Sequence, residues 1–144
     1  MLGWTYSLGR IFLSLVFIAA GIQKFLDVRR VATMIADTRI PIPVEVEPYL
    51  AGLPRYEAAG YLLAAIETIC GLLVLLGLAA RWGALILAVY TACAIIFIYP
   101  VWMMSGDAVG PNLFAALEQL AILGGLLLIV AGGSTGRPVD GPPV

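Results

Sequence analysis

The sequence contains no histidine and little charge. Only 12% of its 144 residues are charged, against roughly a quarter in a soluble domain, while 62% are hydrophobic. Without histidine the chain lacks the usual axial ligand of membrane b-type haems and the commonest general base. Its net charge of −1 leaves no basic field for nucleic acid. These shortages exclude a nucleic-acid-binding protein and predict a chain surrounded by lipid.

Cysteine is equally scarce. Cys70 and Cys93 each stand alone in an apolar run, and neither belongs to a C-x-x-C pair that could cycle as a dithiol. A lone cysteine in such a run commonly behaves as a small hydrophobic residue, so we predict two buried thiols. We predict no metal site and no covalently held cofactor.

Long hydrophobic runs are what the chain has instead. A membrane-spanning helix needs about 20 mostly apolar residues, and four segments qualify, at approximately 6–25, 58–80, 82–99 and 112–130. Pro100 should end the third helix, and Pro111 should open the fourth. We predict an all-α, integral membrane four-helix bundle over residues 1–131, multi-pass in the cytoplasmic membrane of a bacterium or archaeon. Residues 132–144, rich in Gly and Pro, should form a flexible tail.

One alternative concerns the first segment, in which Arg10 precedes an apolar run that contains Ala19-Ala20-Gly21. This pattern also fits a cleaved signal peptide. The charged start is thin, however, and Lys24 with Asp27 is more typical of a membrane boundary than of a processing site. We therefore interpret the segment as the first membrane span.

The loop between the first two spans, about residues 28–55, is long for a compact bundle. Its apolar residues recur at helical spacing opposite charged ones, which predicts a short amphipathic helix on the membrane surface before Pro41. The apolar set is Val28, Val31, Ala32 and Ile35, and the charged set is Arg29, Arg30 and Asp37. This helix could be an ordered cap without a ligand, or it could cover a binding site.

Four spans place both termini on one side of the membrane, here named the near side, and the long loop on the far side. The far side has more basic residues, which weakly favours a cytoplasmic loop. The near-side residues are Arg10, Arg81 and Arg137; the far-side residues are Lys24, Arg29, Arg30, Arg39 and Arg55.

Polar residues follow single faces of the predicted helices, which should therefore turn inward. The faces are Arg10, Ser14, Phe17, Gly21 and Lys24 on the first helix; Gly60, Ala64, Glu67 and Gly71 on the second; and Ala115, Glu118, Ile122 and Gly125, with Gln119 beside them, on the fourth. Small residues around Glu67 should let a neighbouring backbone approach closely.

Depth along the helices predicts which charges pair. At 1.5 Å per residue, Lys24 lies about 3 Å from the far interface, Glu118 about 9 Å and Glu67 about 14 Å. Lys24 should therefore reach Glu118 more easily than Glu67, while Arg10 approaches Glu67 from the near side. The predicted polar core comprises Arg10, Lys24, Glu67, Glu118 and Gln119. It could be a set of ion pairs that fixes helix register, or a pocket for a small amphipathic ligand such as a quinone headgroup.

Several short motifs resemble the DoxX family. They are Gly9-Arg10 leading into Phe17, Ala20-Gly21-Ile22-Gln23-Lys24-Phe25, Glu67 with Gly71 and Gly77, and Leu123-Gly124-Gly125-Leu126. The resemblance extends from about Leu8 to Val130. It implies a four-helix membrane protein associated with oxidoreductases, linked in some members to thiosulfate:quinone oxidoreduction and in others to redox-stress enzymes. The family pattern has a Lys-Asn pair where this chain has Glu118-Gln119, which reverses the charge there and favours a Lys24–Glu118 pair.

Two functions follow as hypotheses. The first is a membrane subunit of a quinone-linked redox complex, which binds quinone or docks an oxidoreductase partner. The second is a non-enzymatic scaffold or a protein that binds lipid or another small molecule. The sequence contains no haem ligands, dithiol or nucleotide-binding loop, so catalysis by this chain alone has no visible cofactor. Its predicted partners are the bilayer and membrane-associated redox proteins, and homo-oligomerisation stays open.

Overall fold

The computed structural model of the chain describes residues 2–38, 42–43, 50 and 52–132. Those residues contain five α-helices and no strand: α1 (Leu2–Leu26), α2 (Val28–Asp37), α3 (Arg55–Leu76), α4 (Ala80–Phe97) and α5 (Val109–Gly132). Four helical segments are long and apolar enough to cross a membrane: Trp4–Leu26, Arg55–Leu76, Ala80–Met103 and Val109–Gly132. The prediction of an all-α helical membrane bundle is confirmed. The predicted tail, from residue 133 onward, lies outside the described residues.

The helix ends follow local chain chemistry. Helix α3 stops at Gly77, whose φ of +76° is the left-handed conformation that glycine adopts without a steric penalty. Helix α5 begins at Val109, two residues before Pro111, which was predicted to open it. Proline is tolerated there because the first four N–H groups of a helix have no intrahelical acceptor.

Two glycines bring α1 and α3 into close backbone contact. A side chain on Gly21 of α1 would collide with the Thr68 hydroxyl and would lie 2.9 Å from the Ala64 carbonyl oxygen. A Cβ on Gly71 of α3 would similarly lie 2.9 Å from the Ile18 side chain. Helix α1 packs mainly on α3, α4 packs on both α3 and α5, and α1 touches α5 only sparsely. The predicted packed seam beside Glu67 is confirmed as the α1–α3 interface.

The outer surface of the bundle is apolar, as lipid requires. Leucines such as Leu26, Leu62 and Leu128 are more than half exposed, a pattern that would be unfavourable in water. Cys70 is buried, whereas Cys93 is exposed, so the prediction of a second buried thiol is wrong. The apolar run around Cys93 fits hydrocarbon as well as a protein core, and composition alone does not separate the two surroundings.

Helix α2 covers part of the far end of the bundle, which is the end formed by α2 and the first turns of α3 and α5. Its Val31, Ala32 and Ile35 are buried, and the side chains of Val28 and Val31 contact Gly60 of α3. Asp27 caps the helix by accepting a hydrogen bond from the Arg30 amide. Its location at the membrane surface stays a prediction, and Pro41 and Arg39 lie outside the described residues.

Candidate functional site

The centre of the candidate site is an ion pair between α1 and α3. The Lys24 ammonium donates hydrogen bonds to both carboxylate oxygens of Glu67, at 2.8 Å to Oε1 and 2.6 Å to Oε2. The side chain of Glu67 is only 3% exposed, and that of Lys24 is 19% exposed. A carboxylate inside a membrane span is costly unless it is paired. The pair therefore explains how α3 carries an acid in its apolar middle.

Helix packing selects Glu67 as the partner of Lys24. Gly21 lies one turn before Lys24 on the same face of α1, and the close α1–α3 contact there brings the Lys24 stem alongside Glu67. The predicted inward faces of α1 and α3 are confirmed, because Ser14, Phe17, Ala64 and Glu67 are all buried. From depth along the helices, Lys24 was predicted to reach Glu118 more easily than Glu67. The long, flexible lysine side chain spans the difference in depth between Lys24 and Glu67.

Tyr90 of α4 is the third polar group at this point. Its hydroxyl interacts with the Glu67 carboxylate, and the Lys24 ammonium lies 5.9 Å from the centroid of its ring. A cation within about 6 Å of an aromatic face is attracted by the ring quadrupole. Sequence analysis did not select Tyr90, since a tyrosine in an apolar helix looks like an interfacial or core residue. The available signal was its helical position, with Leu87 and Ala94 on the same inward face.

These three residues line a small cavity between the four long helices and α2. Its volume is about 120 Å³, comparable to the engineered cavity of about 150 Å³ that holds benzene. Gln119 of α5, Met34 of α2 and Ala20 of α1 also line it. The cavity therefore has room for roughly one six-membered ring, beside an ammonium, a carboxylate, a phenol and an amide side chain. We name it the polar cavity.

The prediction of a Lys24–Glu118 pair is wrong. Glu118 is exposed on the outside of α5, and the lysine is engaged by Glu67. Helix α5 turns a different stripe inward: Gln119, Ile122, Leu126 and Ile129 follow helical spacing, and the last two are buried. Because adjacent residues of a helix point about 100° apart, only one of Glu118 and Gln119 can face the bundle. The side chain that lines the polar cavity is the amide of Gln119.

Arg10 does not approach Glu67 either. Its Nη1 atom lies 2.8 Å from the position that a Cβ on Gly77 would occupy, at the C-terminal end of α3. Gly77 is ten residues beyond Glu67, roughly 15 Å along the helix axis. A guanidinium beside a helix C-terminus is favourable because the last carbonyl groups carry partial negative charge. The predicted polar core is therefore not one group: Arg10 lies at the near end of the bundle, and Lys24 and Glu67 lie toward the far end.

Metal binding finds no support in the described part of the chain. There, no three His, Cys, Asp or Glu side chains come close enough together to hold a metal ion. The polar groups that converge are a lysine, a glutamate, a tyrosine and a glutamine, which together offer hydrogen-bond donors and acceptors.

Comparison with known proteins agrees with this architecture. The DoxX family pattern matches residues 5–100, which include most of α1 and all of α2, α3 and α4, and hence Lys24, Glu67 and Tyr90. Inner membrane protein YphA of Escherichia coli (strain K12) is 26% identical over 133 residues, covering 92% of this chain and 86% of that protein. No solved structure matches the chain. The match spans well over half of the sequence, and the chain therefore belongs to the DoxX family of integral membrane proteins.

Proposed function

We propose that this protein binds a quinone headgroup in the polar cavity and serves as the membrane subunit of a quinone-linked redox complex. The observation that carries the proposal is the convergence of Lys24, Glu67 and Tyr90 on a ring-sized cavity inside a lipid-facing bundle. Ligand sites are typically concave and mostly apolar, with a few polar groups that orient the ligand. The remaining wall is largely apolar, with Phe17, Ala94 and Ile122 among its members.

The polar groups suit a carbonyl-bearing ring. Lys24, Tyr90 and Gln119 can each donate a hydrogen bond, and a quinone carbonyl oxygen can accept one. A quinone would supply two-electron chemistry with accompanying proton transfer. Glu67 could accept or release such a proton at its carboxylate. Because the electrons must come from elsewhere, the proposal includes an oxidoreductase partner that docks on the bundle.

The second candidate function is a non-enzymatic scaffold. Its support is the same ion pair considered alone, because a buried pair can fix the register between two helices without binding anything. A scaffold predicts that substitutions in the polar cavity change stability only. Quinone retention therefore separates the two candidates.

Mass spectrometry of the gently solubilised protein tests the proposal, since it reports bound quinones, lipids and proteins together. We expect co-purified quinone, and a loss of about 10- to 100-fold in quinone affinity for Glu67→Gln. The substitution removes the carboxylate that holds the Lys24 ammonium at the cavity wall, and with it the hydrogen bond from this charged donor to the quinone carbonyl, which contributes roughly 1.5–3 kcal/mol. Tyr90→Phe keeps the ring and should weaken binding less, by about 2- to 10-fold, as one neutral hydrogen bond is lost.

Glu118→Gln is the matched control, because it makes the same chemical change on the exposed face of α5. It should retain quinone like the unaltered protein. Equal quinone retention by Glu67→Gln and Glu118→Gln, in protein that is folded by circular dichroism, would contradict the quinone proposal and favour the scaffold.

A further inference from the structure

An apolar groove lies next to the polar cavity. It has a volume of about 220 Å³ and runs between α3 and α4 beneath α2. Leu62 and Leu63 of α3 form one wall, and Cys93 and Phe97 of α4 form the other. Leu62, Cys93 and Phe97 are exposed on the outside of the bundle, so the groove opens sideways into the hydrocarbon that surrounds the protein.

The groove and the polar cavity meet along one stripe. Tyr90 and Ala94 of α4, Ile98 directly after that helix, and Met34 of α2 line both spaces. At Ala94, only a methyl side chain lies between the groove and the polar cavity. Tyr90 contributes to both spaces. Its hydroxyl interacts with Glu67 in the polar cavity, and the residue also forms part of the apolar wall of the groove.

Met34 of α2 lies at this junction. It lines the polar cavity, the groove and two further spaces at the far end that are bounded by Arg30. Methionine is unbranched and flexible, and it adapts to irregular gaps more readily than other apolar side chains. A modest rotamer change of Met34 would therefore alter the opening between cavity and groove.

We infer that the groove holds the apolar chain of the ligand whose head occupies the polar cavity. The ligand class is thus a single-chain amphiphile that enters laterally from the bilayer between α3 and α4, under α2. This inference rests on the proposed function, since it needs an occupied polar cavity. It adds a direction of entry and a second contact surface, the apolar groove that holds the ligand chain.

Affinity is a poor test of this arrangement. A chain that moves from lipid into an apolar groove gains little, because lipid tails are as apolar as leucine. The position of the chain is the informative quantity, and the protein supplies a reporter for it. Cys93 is exposed on the groove wall, whereas Cys70 is buried. A small membrane-permeant thiol reagent, methyl methanethiosulfonate, should therefore modify Cys93 selectively, and peptide mass spectrometry can quantify the modification.

The experiment compares two fully substituted quinones, which do not add thiols: decylubiquinone with a chain and duroquinone without one. At ten times its Kd, decylubiquinone should slow Cys93 modification about ten-fold, the factor by which mass action lowers the unliganded fraction. Duroquinone should bind without protecting Cys93. Leu117→Cys in a Cys93→Ala background places a thiol on an exposed position of α5, and neither quinone should protect it.

The outcomes separate the two proposals. In the first outcome, both quinones bind and Glu67→Gln weakens the binding of both, but the thiol reagent modifies Cys93 at the same rate in the presence of either quinone. The chain then leaves the polar cavity by another route, and the groove inference fails while the proposed function stands. If decanol alone protects Cys93 as well as decylubiquinone does, the groove accepts any lipid chain and the inference also fails. If neither quinone binds, the proposed function fails and the inference with it.

Discussion

The two ends of the bundle use their charges differently. At the near end, formed by the start of α1 and the turn between α3 and α4, the arginines serve helix termini: Arg10 lies beside the end of α3, and Arg81 donates a 2.9 Å hydrogen bond to the Val130 carbonyl of α5. At the far end, Lys24 contacts no terminal carbonyl in the described structure. It meets Glu67 on the wall of a cavity.

The difference indicates which charges are available to a ligand. Arg81 satisfies a carbonyl group and so already performs a structural task, since the last four carbonyls of a helix have no intrahelical donor. A lysine and a glutamate that line a cavity keep hydrogen-bonding capacity beyond their mutual contact, because an ammonium has three donors and a carboxylate has about four acceptor sites. On the proposed function, the far end is the binding end and the near end is the structural end.

Removing Glu67 should give the largest effect on stability. Glu67→Ala leaves the Lys24 ammonium unpaired in an apolar surround, and breaking a buried ion pair in this way costs about 3–5 kcal/mol. Thermal unfolding followed by circular dichroism in detergent measures the loss. Replacing both partners by apolar residues, in Lys24→Met with Glu67→Leu, should recover most of it. A single substitution that unfolds at the same temperature as the unaltered protein would contradict the buried pair.

The close α1–α3 contact should give the next largest effect. Gly21→Ala inserts a methyl group against the Thr68 side chain and the Ala64 carbonyl, and overpacking of this kind costs about 1–3 kcal/mol. Gly9→Ala on the same helix is the control, since nothing lies within 4 Å of its added Cβ. It should be neutral or stabilising by about 0.5–1 kcal/mol. Equal unfolding temperatures for the two variants would argue against the tight crossing.

The helices and the inward faces of α1 and α3 could be predicted from the sequence. The inward face of α5 and the pairing of Lys24 with Glu67 could not. Hydropathy identifies spans because each must exceed the thickness of the hydrocarbon, and helical spacing placed Glu67 correctly on an inward stripe. The partner of Lys24 was missed because depth along an axis says nothing about which helix is adjacent. That choice depends on Gly21 and Gly71, whose missing side chains bring α1 onto α3 and away from α5.

The position of Glu118 was missed for a different reason. The Ala115–Gly125 stripe and the Gln119–Ile129 stripe of α5 differ in direction by a fraction of a turn, and both are lined by apolar or small residues. In water the apolar face of a helix marks the core. In lipid both faces are apolar, so the pattern does not reveal which one packs.

A substitution at the near end should have the smallest effect on stability. Arg81→Gln removes the hydrogen bond to Val130 from an exposed side chain, and we expect a loss of about 1 kcal/mol or less. The same unfolding assay measures it. A loss as large as that of Glu67→Ala would remove the distinction between a structural end and a binding end.

Quinone affinity measured for Glu67→Gln and Arg81→Gln side by side tests that distinction most directly. Equilibrium titration of the folded, lipid-depleted protein with decylubiquinone should give a Kd raised by about 10- to 100-fold for Glu67→Gln, because the Lys24 ammonium is no longer held in place to donate its charge-assisted hydrogen bond to the quinone. The Kd of Arg81→Gln should be unchanged. Equal Kd values for the two variants, or a larger change for Arg81→Gln, would show that the far-end cavity is not where the ligand binds.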